Sequence, residues 1–318
     1  MPFTLDPGVG AALGALFGAN PPQPPPVGDV NGRRQMLDGM FAMLADQGVK
    51  VSGVESKDFK VKADDGHEII LRWYTKTGAT PPGSAIVYAH GGGMIALKIE
   101  HYDEPVKRYV SRTGVPFLMV DYRLCPEVRA PVPVTDTYAG LKYLVDHAQE
   151  LGVDPSRIAL MGDSAGGGIS ASLAHYIKQK GGPNVKKQIL IYPMLDDRNL
   201  ETDPNTAPYA TWSFDDNKTG WGALLGDKFG TDDVDVLAAA ARATVKDCEG
   251  LPPAYIDVGE IDIFRDEDLQ YASKLGKAGV ECEFHLFPQV PHAWLEFAPD
   301  LESSRTAMDL RCRVISAL

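Results

Sequence analysis

Six short apolar runs, AIVYA, PFLMVD, RIALM, QILIY, AYIDVG and ECEFHLF, recur between residues 85 and 287, each bounded by turn-forming residues. Continuous apolar runs of this length read as strands covered on both faces. Segments of helical character lie between them: EPVKRYVSRT, DTYAGLKYLVDHAQEL, GISASLAHYIKQK and DEDLQYASKLGKAG, with a last one near 301 to 316. Strands alternating with helices predict an α/β architecture, a mostly parallel central sheet with helices on both faces. Upstream, DFKVKA and EIILRWYT flank a DG turn. That pattern predicts an antiparallel hairpin ahead of the parallel strands.

Most successive runs start roughly 25 to 40 positions apart, but Tyr192 and Ala254 are separated by about twice that. An insertion is therefore expected. Its segment MLDDRNLETDPNTAPYATWSFDDNKTGWGALLG holds Trp212, Phe214 and Trp221 among Pro, Asn and Asp, and reads unlike a crossover helix. At the other end, PPQPPP at 21 to 26 is a stiff linker between an apolar stretch and the helix-like GRRQMLDGMFAMLADQG. Both regions are expected to cap the carboxyl edge of the sheet. The division is 1–54 as N-terminal cap segment, 55–194 as core, 195–232 as cap insertion and 233–318 as the rest of the core.

Composition narrows the partners. The formal net charge is −12 with no basic block, which argues against nucleic acid and mildly against anionic substrates. No run of about 18 apolar residues is present, so stable membrane insertion is not expected. The stretch VGAALGALFGA at 9 to 19 has the length of a signal-peptide core but follows Asp6 rather than a basic region, favouring a cytoplasmic location over secretion. Cys125, Cys248, Cys282 and Cys312 are scattered without zinc-ligand spacing. They are expected to be reduced thiols, with no metal bound.

The run RIALM ends on GDSAGG, and a helical segment follows. Strand, tight turn and helix form the setting in which a GxSxG serine is held exposed in a strained turn, with small neighbours clearing room for it. Ser164 is thus a candidate nucleophile. By itself the match is weak, because Ser and Gly are common in ordinary βα turns. Directly after AIVY comes AHGGG, whose consecutive glycines let backbone N–H groups approach a ligand closely, as an oxyanion hole requires. GxGxxG spacing is absent, so a dinucleotide site ranks below.

Acyl transfer also needs a base and an orienting acid, ordered serine, acid, histidine along this kind of chain. GEIDIFRDED follows AYIDV and offers Glu260, Asp262 and Asp266, while PQVPHAW places His292 just past ECEFHLF. Of the seven histidines, only His292 falls in a loop after a late strand. Spacing does not separate Glu260 from Asp262. Asp266 lies in the charged start of a helix, where a dipole role suffices.

With these residues in place, roughly residues 55 to 318 resemble the hormone-sensitive-lipase-like (family IV) esterases of the α/β-hydrolase fold. The resemblance rests on AHGGG, DYRLCPE at 121 to 127, GDSAGG, PPAYIDVGEIDIFRDE and PHAW in that order. It implies Ser164 as nucleophile, His292 as general base and Asp262 as acid, with Glu260 in reserve. It also implies an oxyanion hole from Ala165 and two of Gly91, Gly92 and Gly93, no cofactor, and a helical cap from the N-terminal segment and the insertion. Asp121, Arg123 and Glu127 are expected to form a supporting hydrogen-bonded turn. The sequence departs from the family at Met94, where an aromatic residue is frequent, at PEVRAPVP, and at Ala293, where glycine is common; these bear on the acyl pocket. Met94, Trp212, Phe214 and Trp221 are the pocket candidates, though an aromatic core explains the last three equally well.

The implied activity is hydrolysis of short to medium acyl esters through an acyl-enzyme, by a serine carboxylesterase acting on a small-molecule ester. Homodimers are common in such a family. An amide or lactone hydrolase with the same triad, or a non-catalytic small-molecule receptor on the same fold, are the alternatives.

Overall fold

The computed structural model describes residues 3–18, 23–48 and 50–318. Among them eight strands, β1 (Val54–Lys62), β2 (Glu68–Lys76), β3 (Ala85–Ala89), β4 (Phe117–Val120), β5 (Ile158–Asp163), β6 (Lys187–Ile191), β7 (Ala254–Gly259) and β8 (Cys282–Phe287), form one sheet. Their order is β1-β2-β4-β3-β5-β6-β7-β8. The β1–β2 and β2–β4 pairs are antiparallel and every later pair is parallel, as the alternating pattern predicts. The hairpin closes where the DG turn was expected: Lys62 faces Glu68, and the Ala63 N–H donates to the His67 carbonyl at 2.8 Å.

The helices are α1 (Pro7–Phe17), α2 (Val30–Gln47), α3 (Asp103–Thr113), α4 (Val132–Asp146), α5 (Ala165–Lys180), α6 (Phe214–Leu225), α7 (Val245–Cys248), α8 (Arg265–Lys277), α9 (Trp294–Phe297) and α10 (Glu302–Ser316). α4 packs against α5, and α3 against α10. With both faces of the sheet covered, every residue of β3, β4, β5 and β7 is buried. Their unbroken apolar runs have that cause. β1, at one edge, keeps an exposed, lysine-bearing face, which discourages further strand pairing.

One element differs from the sequence expectation. α5 begins at Ala165, three residues before the predicted start, because the turn after β5 takes a single residue. The insertion contributes a helix, α6, in keeping with the expected helical cap: Ser213 and Asp216 cap it reciprocally, with the Ser213 N–H donating to Asp216 Oδ2 at 2.8 Å and the Asp216 N–H to Ser213 Oγ at 3.2 Å. The start of the insertion is tied to α8 by the buried Glu267, which accepts from the Leu195 N–H at 2.6 Å and Asn199 Nδ2 at 2.8 Å.

The N-terminal segment packs onto this body. Asp6 caps α1 through the Gly8 N–H at 2.7 Å, its own N–H donates to the Gln289 carbonyl at 2.8 Å, and Val9 is fully buried. Within the proline stretch, Pro21 and Pro22 lie outside the described residues, while residues 23–26 carry no regular structure. The buried Arg33 of α2 donates to the carbonyls of Pro26 at 2.6 Å and Pro25 at 2.9 Å, and through Nε to Asp216 Oδ1 at 2.8 Å. α2 and α6 are thereby joined by an ion pair of which the Arg33 side chain is 0% and that of Asp216 5% exposed. Removing one partner from such a buried pair costs about 3–5 kcal/mol. No helix among the described residues is long and apolar enough to cross a membrane.

Candidate active site

Three loops at the carboxyl edge of the sheet converge. Ser164 directly follows β5, Asp262 lies just beyond β7, and His292 lies just beyond β8. Ser164 has φ 54° and ψ −122°, a conformation that costs a non-glycine residue about 1–3 kcal/mol and persists only where surroundings hold it. Here its N–H donates to the Ile191 carbonyl at 2.8 Å, and its carbonyl accepts from the Met194 N–H at 2.9 Å. A Cβ on Gly166 would stand 2.0 Å from the Ala89 oxygen, and one on Gly162 would stand 2.3 Å from Gly166. The flanking glycines are required by backbone contact at the turn.

His292 joins the other two side chains. Its Nε2 is 2.9 Å from Ser164 Oγ, and its Nδ1 is 2.7 Å from Asp262 Oδ2. Since a carboxylate accepts, Nδ1 carries the proton and Nε2 is free to accept from the serine hydroxyl. Asp262 is fixed through Oδ1, which accepts the Phe264 N–H at 2.9 Å. The imidazole is walled edge-on by Tyr192 and Phe264, with ring centroids at 4.8 and 5.0 Å. Ala293, where the family pattern has glycine, adopts φ 55°, a left-handed conformation that explains that preference. Glu260 faces elsewhere, accepting the Gln289 N–H at 3.0 Å, and Asp266 pairs with Arg265.

Such a hydroxyl–imidazole–carboxylate line can transfer a proton from serine as the oxygen attacks a carbonyl. Backbone N–H groups without partners among the described residues belong to the loop after β3 and to the start of α5. No acceptor among the described residues takes the N–H of Gly91, Gly92, Gly93 or Ala165. The loop is shaped by Gly92 at φ 108° and Gly93 at φ 62°, and the Trp212 ring fills the place a Gly93 side chain would need. Beneath it, Asp163 accepts the hydroxyls of Tyr88 and Tyr102, each at 2.7 Å, and burial pushes its carboxyl up from the ordinary value despite both bonds.

His90 stacks on Tyr122 at 4.4 Å with Nδ1 2.7 Å from the Gly91 carbonyl, and burial pushes its imidazole down to about 4. The unfolded chain takes up a proton at this group as pH falls below about 6.5, while the folded chain resists until about 4. The His90 contribution to stability should therefore fall by on the order of 3 kcal/mol across that window and be constant above it. Raised carboxyls such as Asp163 act in the opposite sense. Urea unfolding of wild type and His90→Gln across this pH range isolates the His90 contribution: the wild type should lose stability relative to the variant on acidification, and a constant difference would contradict it.

Residues 86–296 match the family model described as alpha/beta hydrolase fold. The chain belongs to the α/β-hydrolase fold family. Within it the chain falls in the hormone-sensitive-lipase-like branch. It is 36% identical to carboxylesterase NlhH of Mycobacterium tuberculosis over 216 residues, 67% of each chain. It is 27% identical to an ethyl acetate hydrolase of Pseudomonas putida over 262 residues, 78% of each. Among solved structures, a bacterial heroin esterase superposes with TM-score 0.88 at 35% identity, covering 99% of this chain and 98% of that one. An esterase from the archaeon Pyrobaculum calidifontis gives TM-score 0.85 at 29% identity and 99% coverage of both.

The Ser164–His292–Asp262 cluster reaches the insertion through a residue that sequence reasoning did not single out. Thr211 Oγ1 donates to the His292 carbonyl at 2.6 Å. Beside it opens a cavity of about 940 Å³, walled by Leu13 and Phe17 of α1, Met36 and Met40 of α2, and Phe297. None of the four pocket candidates lines this cavity. Met94 is buried at φ 62° and borders a space of about 10 Å³, Trp221 is fully buried, and Phe214 borders a polar cavity of about 360 Å³ beside Asp262. Trp212 lies on Gly93. The Met36–Met40 spacing on one helix face was the available signal for the cavity wall.

The DYRLCPE side chains pair outward rather than with one another. Arg123 binds Asp136 and Asp65, and Glu127 binds Arg34.

Proposed function

We propose that this chain hydrolyses carboxylic esters through an acyl-enzyme. The observation that carries the reading is the Ser164–His292–Asp262 line, with contacts of 2.9 and 2.7 Å beside uncommitted backbone N–H groups. His292 Nε2 takes the Ser164 proton as Oγ attacks the ester carbonyl. The tetrahedral oxyanion is held by the Ala165 N–H and those of two among Gly91, Gly92 and Gly93, each donor contributing about 3 kcal/mol. His292 then gives its proton to the leaving alcohol, and a water activated by the same imidazole releases the acid. Asp262 keeps the tautomer and stabilises the imidazolium. None of these steps calls on a metal or organic cofactor.

α1, α2 and the 195–232 insertion form the cap over this site. Their apolar cavity supports a small-molecule ester with a short to medium acyl chain, in keeping with the names of the relatives. A panel of p-nitrophenyl esters from acetate to laurate, with matched anilides and lactones, tests the class. Esters of short to medium chain should show the highest kcat/KM. Faster turnover of anilides or lactones would assign the same triad to those bonds instead.

A further inference from the structure

The oxyanion loop holds more strain than its own contacts explain. Beyond Gly92 and Gly93, two non-glycine residues, Met94 at φ 62° and Leu97 at φ 70°, occupy the left-handed region. Such a conformation is unfavourable for a non-glycine residue and persists only where the surroundings fix it. Within the loop, the Ile95 and Ala96 N–H groups return to the Gly92 carbonyl at 3.1 and 3.0 Å, and the Cys125 N–H donates to the Met94 carbonyl at 2.9 Å.

A further clamp comes from α2, far away in sequence. Arg34 Nε donates to the Ile95 carbonyl at 2.6 Å, and its Nη2 donates to the Cys125 carbonyl at 3.0 Å. The guanidinium is itself held in plane by Glu127, whose carboxylate accepts from Nη1 at 2.7 Å and Nη2 at 2.6 Å. A planar fork with several fixed donors can hold two carbonyls and a carboxylate at once, which a lysine ammonium on a flexible stem does not reproduce. From another element, the Trp212 ring closes on Gly93. The loop is thus fixed between α2 and the insertion.

We propose that Arg34 is a positioning residue for the oxyanion hole, holding the strained loop after β3 with its glycine amides turned to the reacting carbonyl. The proposal rests on the ester hydrolase reading and adds to it. Arg34 touches no substrate and acts only through the Ile95 and Cys125 carbonyls. Its loss should weaken binding of the tetrahedral state far more than binding of the ground-state ester.

The test compares wild type, Arg34→Ala and Arg34→Lys on p-nitrophenyl butyrate, with active sites counted by organophosphate titration so that unfolded protein does not enter kcat. The affinity of an alkylboronic acid, which forms a tetrahedral adduct at serine, is measured in parallel. Arg34→Ala should lose on the order of 100-fold in kcat per titrated site, with KM nearly unchanged and boronate affinity falling in step. Arg34→Lys, which keeps the charge and a partner for Glu127, should lose about tenfold and serve as the readout if the alanine variant does not fold. Unchanged kcat per site and boronate affinity, with only a lowered Tm, would overturn the proposal and leave Arg34 a structural brace. A wild-type protein that neither turns over the ester nor takes the organophosphate would overturn the ester hydrolase reading itself, and this proposal with it.

Discussion

Replacing Ser164 by alanine is expected to lower kcat on a short p-nitrophenyl ester by about 10⁴- to 10⁶-fold, to the residual rate that binding and backbone donors alone sustain. The fold should be unaffected. Alanine keeps the Cβ, so the strained turn at φ 54° is neither relieved nor worsened, and the Ser164 backbone bonds to Ile191 and Met194 do not involve the hydroxyl. Circular dichroism and thermal unfolding of the variant should overlay those of the wild type. A variant with substantial activity would remove the nucleophile from the mechanism.

The second large effect separates two acids that sequence spacing left equivalent. Asp262→Asn should cost about 10⁴-fold in kcat, because an amide facing Nδ1 favours the wrong tautomer and cannot stabilise the imidazolium. Glu260→Gln should change kcat less than about threefold, since the Glu260 carboxylate accepts, among the described residues, only the Gln289 N–H. The pair is measured by kcat and KM on one ester at neutral pH. A reversed ranking would exchange the two roles.

The difference between these two acids marks where local information ends. Strand and helix alternation is a property of short windows, so the parallel sheet and its antiparallel hairpin are legible in the residue pattern alone. Ser164 and His292 are legible for a related reason: the fold delivers strand ends to one edge, and both residues follow apolar runs in the required order. Asp262 needs a direction as well as a position. Its carboxylate meets the His292 imidazole, while Glu260, two residues earlier, meets the Gln289 N–H three residues before His292 in the same loop, and strand-end loops follow no fixed period from which this could be read.

The cavity of about 940 Å³ beside Thr211 is least legible because it is made by tertiary packing between distant segments. Aromatic residues in the insertion draw attention, yet Trp221 goes to the core and Trp212 to the back of Gly93. The cavity wall comes instead from the apolar faces of α1 and α2. Arg33 and Arg34 look in sequence like an ordinary solvated charge pair. In the fold they diverge, one to Asp216 in the insertion and one to Ile95 in the loop after β3, and this division depends on contacts with segments about 180 and 60 residues downstream.

Reaction with a fluorophosphonate, followed by mass spectrometry of the intact protein and its peptides, tests the activated serine most directly. One phosphonyl group per chain should appear on Ser164, ester hydrolysis should vanish in proportion to its incorporation, and His292→Ala should react far more slowly under the same conditions. An unmodified Ser164 in a protein that hydrolyses esters, or full activity after its modification, would contradict the mechanism.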